Sequence, residues 1–173
     1  FWFKATLNYP RLSLTLANDD SDLINMTLEQ DLIQFSGLAN PSWRYYQDFD
    51  FDSIWRQATL VVNRNEGYWS LYIDGEEVFH IDSYKMMYPM DLLEIGGDNG
   101  PFAIDELAIW SRALTADEVI DLRNAEAPLS PIELPEPQTV PKLVHFWNFN
   151  EGISTSAQDL IGNIDLQIEK SAW

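Results

Sequence analysis

Residues 102–122 constrain the fold more than any other part of the chain, because one strand runs there through a short polar turn into a capped helix. Phe102, Ile104, Glu106, Ala108 and Trp110 share one parity, and Ala103, Asp105, Leu107 and Ile109 share the other. Apolar residues on both parities mark a strand partly covered on both faces. Thr115-Ala-Asp-Glu118 then forms a capping box: the Thr hydroxyl accepts from the Glu118 amide, and the Glu carboxylate reaches back to the Thr115 amide. A helix of about two turns should start there and bury Val119 and Leu122. The whole stretch reads as the closing strand of a β-sandwich followed by a short helix.

The preceding hundred residues fit that reading. Alternating segments run over 1–8, 11–17, 23–29, 32–35, 54–63, 68–74, 78–82, 92–96 and 103–110. Residues suited to tight turns separate them, among them Tyr9-Pro10, Gly37, Asn40-Pro41, Gly67 and Gly96-Gly97. Asp74-Gly75, between two apolar runs, is the clearest hairpin turn. Many short strands and almost no helix require two sheets packed face to face. The expected fold class is all-β, an antiparallel two-sheet jelly-roll sandwich with one short C-terminal helix.

Between 125 and 142 five prolines recur with Glu and Ser, so this stretch cannot pair into a ladder and reads as an extended linker. Strand chemistry resumes at Leu143–Phe149, and the segment 143–173 is too short to fold alone.

The 173 residues suit one domain, or one domain plus a fragment of another. With 46% hydrophobic and 13% aromatic residues the chain folds despite a net charge of -18. That charge excludes nucleic acid, whose phosphates need a basic surface, and disfavours anionic membranes. Cations, neutral sugars and positively charged proteins stay compatible. Cysteine is absent, so there is neither a disulfide framework nor a thiolate zinc site. No apolar run reaches the length of a membrane helix and no signal peptide opens the chain. Its first residue, Phe1, suggests a mature product or an excerpt of a longer polypeptide, and the lack of cysteine favours an extracellular setting.

Catalytic patterns are missing. Asp105 and Glu106 are strand neighbours and point to opposite faces, so they cannot flank one glycosidic bond. Asp48, Asp50 and Asp52 alternate like the front of a calcium loop, but Ser53 and Thr59 stand where its Gly and closing Glu belong. His80 and His145 lack a second nitrogen ligand at useful spacing. Sugar binding needs exposed rings beside hydrogen-bonding groups, and two aromatic-dense segments qualify: 40–47 with Trp43, Tyr45 and Tyr46, and 83–90 with Tyr84 and Tyr88. The same rings could instead fill a sandwich end or meet a neighbouring module.

Trp55–Val62 with Trp69–Gly75, then Leu93–Gly97 and Phe102–Glu118, resemble the laminin-G-like modules of the concanavalin A-like lectin/glucanase superfamily. His145–Gly152 with Asp159–Asn163 resembles the first strand and first turn of the same family, here placed last. The resemblance implies three units: a sandwich over 1–124 lacking its usual first strands, the linker 125–142, and in 143–173 the first strands of a following, permuted or exchanged module. It also implies one structural calcium ion with Asp105 and Asp159 as ligands. The expected function is a non-catalytic carbohydrate- or protein-binding module of a larger secreted or cell-surface protein. The alternative is a structural or adhesive module that assembles with other copies of itself through residues 143–173.

Overall fold

The structure, a computed structural model, describes residues 1–5, 11–17, 24–29, 32–37, 40–45, 54–82, 92–98, 102–124, 143–152 and 154–168. In chain order the strands are β1 (Trp2–Ala5), β2 (Arg11–Ala17), β3 (Ile24–Glu29), β4 (Leu32–Gly37), β5 (Asn40–Tyr45), β6 (Arg56–Asn63), β7 (Tyr68–Ile73) and β8 (Glu76–Asp82). They continue as β9 (Leu92–Asp98), β10 (Phe102–Asp105), β11 (Leu107–Trp110), helix α1 (Ala116–Asn124), β12 (Leu143–Trp147), β13 (Ser156–Ala157) and β14 (Leu166–Gln167). One five-stranded sheet has the order β10-β1-β6-β7-β8 and the other β5-β4-β3-β2-β9, every pairing antiparallel. The expected linker, 125–142, lies outside the described residues, as does the acidic stretch 48–52.

The two sheets meet through the alternate residues that each strand turns inward. Phe3, Ala58, Leu71 and Ile73 of one sheet pack in a single cluster with Leu12, Leu14, Met26 and Leu28 of the other, all nearly excluded from solvent. Burying side chains of this size contributes roughly 1.5–3 kcal/mol each, which makes this cluster the main source of stability. The hairpin β7–β8 turns at Asp74 and Gly75, both with positive φ (51° and 86°), as a two-residue turn matched to the strand twist requires.

Strand alternation breaks once in the closing segment. Glu106 has φ 51°, so 102–110 is two strands rather than one. Ile104 and Leu107, of opposite parity, therefore both reach apolar clusters. The break also divides the pairing: β10 takes β1, with Phe3 opposite Ile104, while β11 takes β12, with Leu107 opposite Trp147. Trp147, Ala157 and Leu107 close a second cluster, and the Trp147 indole N–H donates to the Ile164 carbonyl at 2.9 Å.

Helix α1 begins as its capping box dictates. Thr115 N–H donates to Glu118 Oε2 at 2.8 Å, and Glu118 N–H donates to Thr115 Oγ1 at 3.3 Å. Arg112 adds a fork on the same carboxylate, which lowers the Glu118 pKa from 4.5 to about 2. Val119, fully buried, packs with Val61, Tyr72 and Leu114 and seats the helix on the outer face of β6 and β7. Arg123 reaches Asp74 at 3.4 Å and lies 5.2 Å from the centre of the Trp2 ring, tying the last turn to the hairpin and to β1. Thr115→Ala is expected to cost about 1 kcal/mol, and a thermal melt should fall by roughly 2–4 °C. An unchanged midpoint would mean the box contributes nothing to the packed helix.

Candidate functional site

The expected sugar-binding rings are only partly placed. Trp43 and Tyr45 sit on β5, the edge strand of their sheet, opposite Phe35 and Ile33. Among the described residues β5 is paired on its β4 side only, a place where Pro41 is tolerated. The Trp43 and Tyr45 side chains, and the whole of Tyr46, Tyr84 and Tyr88, lie outside the described residues.

Asp105 and Asp159 take different hydrogen-bond partners. Asp105 ends β10 opposite Trp2, and its Oδ1 accepts from the Glu106 amide at 2.9 Å; burial raises its pKa. Asp159 lies beside β12, where it accepts from the Phe146 amide, and Phe146 is paired with Ala108 beyond the Glu106 break.

The Asp159 carboxylate is fully buried and surrounded by N–H donors. Oδ1 accepts from the amides of Phe146 (3.1 Å), Ile161 (3.1 Å) and Gly162 (2.9 Å). Oδ2 accepts from Ile164 N–H at 3.2 Å and meets His145 Nδ1 at 2.6 Å. Burial by itself would raise its pKa, but the His145 contact and the amides outweigh that, so the group sits well below the ordinary carboxylate range. Such a shell suits an anion and leaves no lone pairs turned to a cation, so the arrangement does not fit calcium. Among the described residues no group of three or more His, Asp or Glu side chains is arranged to hold a metal. Gly162 is required by space, since a Cβ there would overlap both the Asp159 carboxylate and the His145 ring.

The most distinctive polar arrangement lies on the outer face of β7 and β8, beside α1. β8 carries a bulge: Phe79 faces Leu71 but Glu77 faces Tyr72, so Val78 is an extra residue. Val78 and Phe79 both point inward, and Glu77, His80 and Asp82 all point outward, opposite Tyr72, Ser70 and Tyr68. Period-two reading of the sequence sends Glu77 and His80 to opposite faces, which is why this cluster escapes it; only the turn chemistry at Asp74-Gly75 hints that the register after it could shift.

His80 is the hub. Its Nδ1 lies 2.8 Å from Ser70 Oγ and 3.1 Å from Glu77 Oε1, its Nε2 lies 3.5 Å from Asp82 Oδ1, and its ring stacks on Tyr68 at 5.1 Å between centroids. The Ser70 hydroxyl, followed by His80, lowers the Glu77 pKa, while burial and then the Glu77 charge raise that of Tyr72. Serine, histidine and acid are all present, yet the serine is not placed to act as a nucleophile. A relay places serine on one ring nitrogen and the orienting acid on the other. Here Ser70 shares Nδ1 with Glu77 and Asp82 stands 3.5 Å from Nε2, but Ser70 is completely buried, so its hydroxyl is out of a substrate's reach. What faces solvent is the His80 ring, stacked on half-buried Tyr68 and flanked by carboxylates, with the side chains of His80, Glu77 and Asp82 at 44%, 42% and 83% exposure.

Comparison with known proteins places this architecture. The laminin-G-type model of the concanavalin A-like lectin/glucanases superfamily matches residues 1–120. The chain belongs to this superfamily. The superfamily sandwich accounts for both five-stranded sheets and for the strand-turn-helix at 102–122. A solved structure from Bacteroides ovatus ATCC 8483, described as a "putative carbohydrate binding protein", is similar to this superfamily member with a TM-score of 0.49 and 12% identity, covering 95% of this chain and 54% of its own. The chain thus spans about half the length of that protein. No curated protein matches it. No helix among the described residues is long and apolar enough to cross a membrane.

Proposed function

We propose that the chain is a non-catalytic, glycan-binding module of a secreted or cell-surface protein, and that the outer face of β7 and β8 takes part in binding. The observation that carries this is the stack of the exposed His80 ring on the half-buried Tyr68, with Glu77 and Asp82 at its rim. A pyranose offers an apolar face that packs on a ring and a circle of hydroxyls that donate to carboxylates, and this patch supplies both partners. Its groups are held before any ligand arrives: Ser70 and Glu77 fix the His80 ring, and Tyr68 packs against the helix-side cluster. The buried Ser70 supports binding over hydrolysis.

The test is a screen of immobilised neutral glycans followed by calorimetry on the best ligand. His80→Ala and Asp82→Ala are each expected to weaken binding at least tenfold while leaving the thermal midpoint nearly unchanged. Trp43→Ala should have little effect. Loss on Trp43→Ala with His80→Ala unaffected would move the site to the β5 edge, and an empty screen would remove the glycan reading altogether.

A further inference from the structure

The patch on β7 and β8 joins a ring surface to charge of one sign. Between Tyr68 and Asp82 the chain carries four acids, Asp74, Glu76, Glu77 and Asp82, and no Lys or Arg. Helix α1, whose buried side packs with Tyr68 and Tyr72, adds the exposed Asp117 and Asp121. Its Arg123 is taken up by Asp74, and Arg112, just ahead of the helix, by Glu118. A ligand on this face therefore meets hydrogen-bond acceptors backed by a negative field, which the net charge of -18 extends beyond the patch.

The two carboxylates beside the His80 ring are not equivalent. Glu77 belongs to the network that fixes the ring: it meets His80 Nδ1, and the Ser70 hydroxyl, followed by His80, lowers its pKa and keeps it ionised. Asp82 is the available one. Its side chain is largely in solvent, and its 3.5 Å approach to His80 Nε2 is longer than a formed hydrogen bond. His80 and Asp82 alternate on the outward face of β8, two residues and so roughly 7 Å apart. A pyranose packed on the His80 ring turns its substituents toward a carboxylate at that distance. A hydroxyl there donates one hydrogen bond to the charged group. A protonated amine in the same place brings three donors and a full opposite charge, which makes the stronger contact. Carboxylated or sulfated sugars would set like charges together.

Resting on the glycan reading above, we propose that this face selects sugars that carry a free amine, preferring hexosamines to their N-acetylated, neutral and acidic counterparts. Asp82 accepts the ammonium group, and the His80 ring carries the apolar face of the sugar. N-acetylation abolishes the preference because it removes the charge and two of the three donors.

The probes are the methyl glycosides of glucosamine, N-acetylglucosamine and glucose, with ethanolamine as an amine that lacks the sugar ring. Each is titrated into the full chain at neutral pH and low ionic strength while the backbone amide resonances of residues 68–82 are followed. The glucosamine glycoside is expected to bind saturably and at least fivefold more tightly than the other two sugars. Asp82→Asn, which keeps the shape and an acceptor but not the charge, should bring the three sugars to within twofold of one another. Equal affinities in the wild-type chain would overturn the amine preference and leave the glycan reading standing, whereas no response to any sugar would overturn both. Ethanolamine binding as tightly as the glucosamine glycoside would reduce the effect to charge attraction. A preference unchanged in Asp82→Asn would take the ammonium group away from Asp82 and overturn the assignment.

Discussion

Replacing Asp159 by alanine is expected to release the segment from β12 to β14 from the sandwich, at a cost of about 3–5 kcal/mol to that part of the fold. The side chain accepts four backbone amides and meets His145, and its loss leaves all five donors without their acceptor in a buried place. Trp147, stacked on His145 at 5.5 Å and nearly fully buried, should move into water. Tryptophan fluorescence shifting red at a lower denaturant concentration than far-UV circular dichroism would show this, and coincident wild-type-like transitions would refute it. Acid should act on the same point. An unfolded aspartate titrates near 3.8, whereas the folded one holds its proton only at lower pH. Below about pH 4 the unfolded chain therefore binds a proton that the folded chain refuses. The stabilisation is complete above that value and is lost as pH falls through the folded pKa. The alanine variant should lack this component of the acid transition.

Phe3→Ala should weaken the whole molecule instead. Phe3 is 1% exposed and stands on β1 between β10 and β6, so its ring sits where the two sheets meet. Removing a buried phenylalanine ring costs about 3–5 kcal/mol. Urea unfolding should show a lower midpoint with an unchanged slope, followed alike by fluorescence and circular dichroism. A loss below about 1 kcal/mol would mean that β1 packs less firmly than its burial implies. The contrast with Asp159→Ala, one change uncoupling two probes and the other moving them together, separates the tail cluster from the main core.

What the sequence discloses follows from how local the responsible chemistry is. Asp74-Gly75 announces its turn and Thr115–Glu118 its helix start, because the residues that make those structures are adjacent in the chain. Fold class is legible for a related reason: period-two alternation repeated over many short runs has few other solutions. Three features were hidden. Asn40–Tyr45, whose aromatic density reads as exposed rings, is an edge strand set by its pairing with β4. The Glu106 break reverses the parity of everything after it, and no residue near it signals a positive φ. The Val78 bulge does the same within β8, and it gathers Glu77, His80 and Asp82 on one face. Asp159 was visible as a turn residue, but its meeting with His145 depends on chain geometry that spacing does not encode.

The division of 102–110 into two ladders also has a consequence in time. During synthesis β10 can pair with β1 as soon as both have emerged, but β11 (Leu107–Trp110) must wait for β12 (Leu143–Trp147). At the usual pace of translation, about 5–20 residues per second, that is an interval of several seconds in which a nascent chain carries an otherwise formed sandwich with β11 still unpaired. Chains crowded on a single message present those unpaired strands side by side, and the nearest β12 to arrive need not be a chain's own.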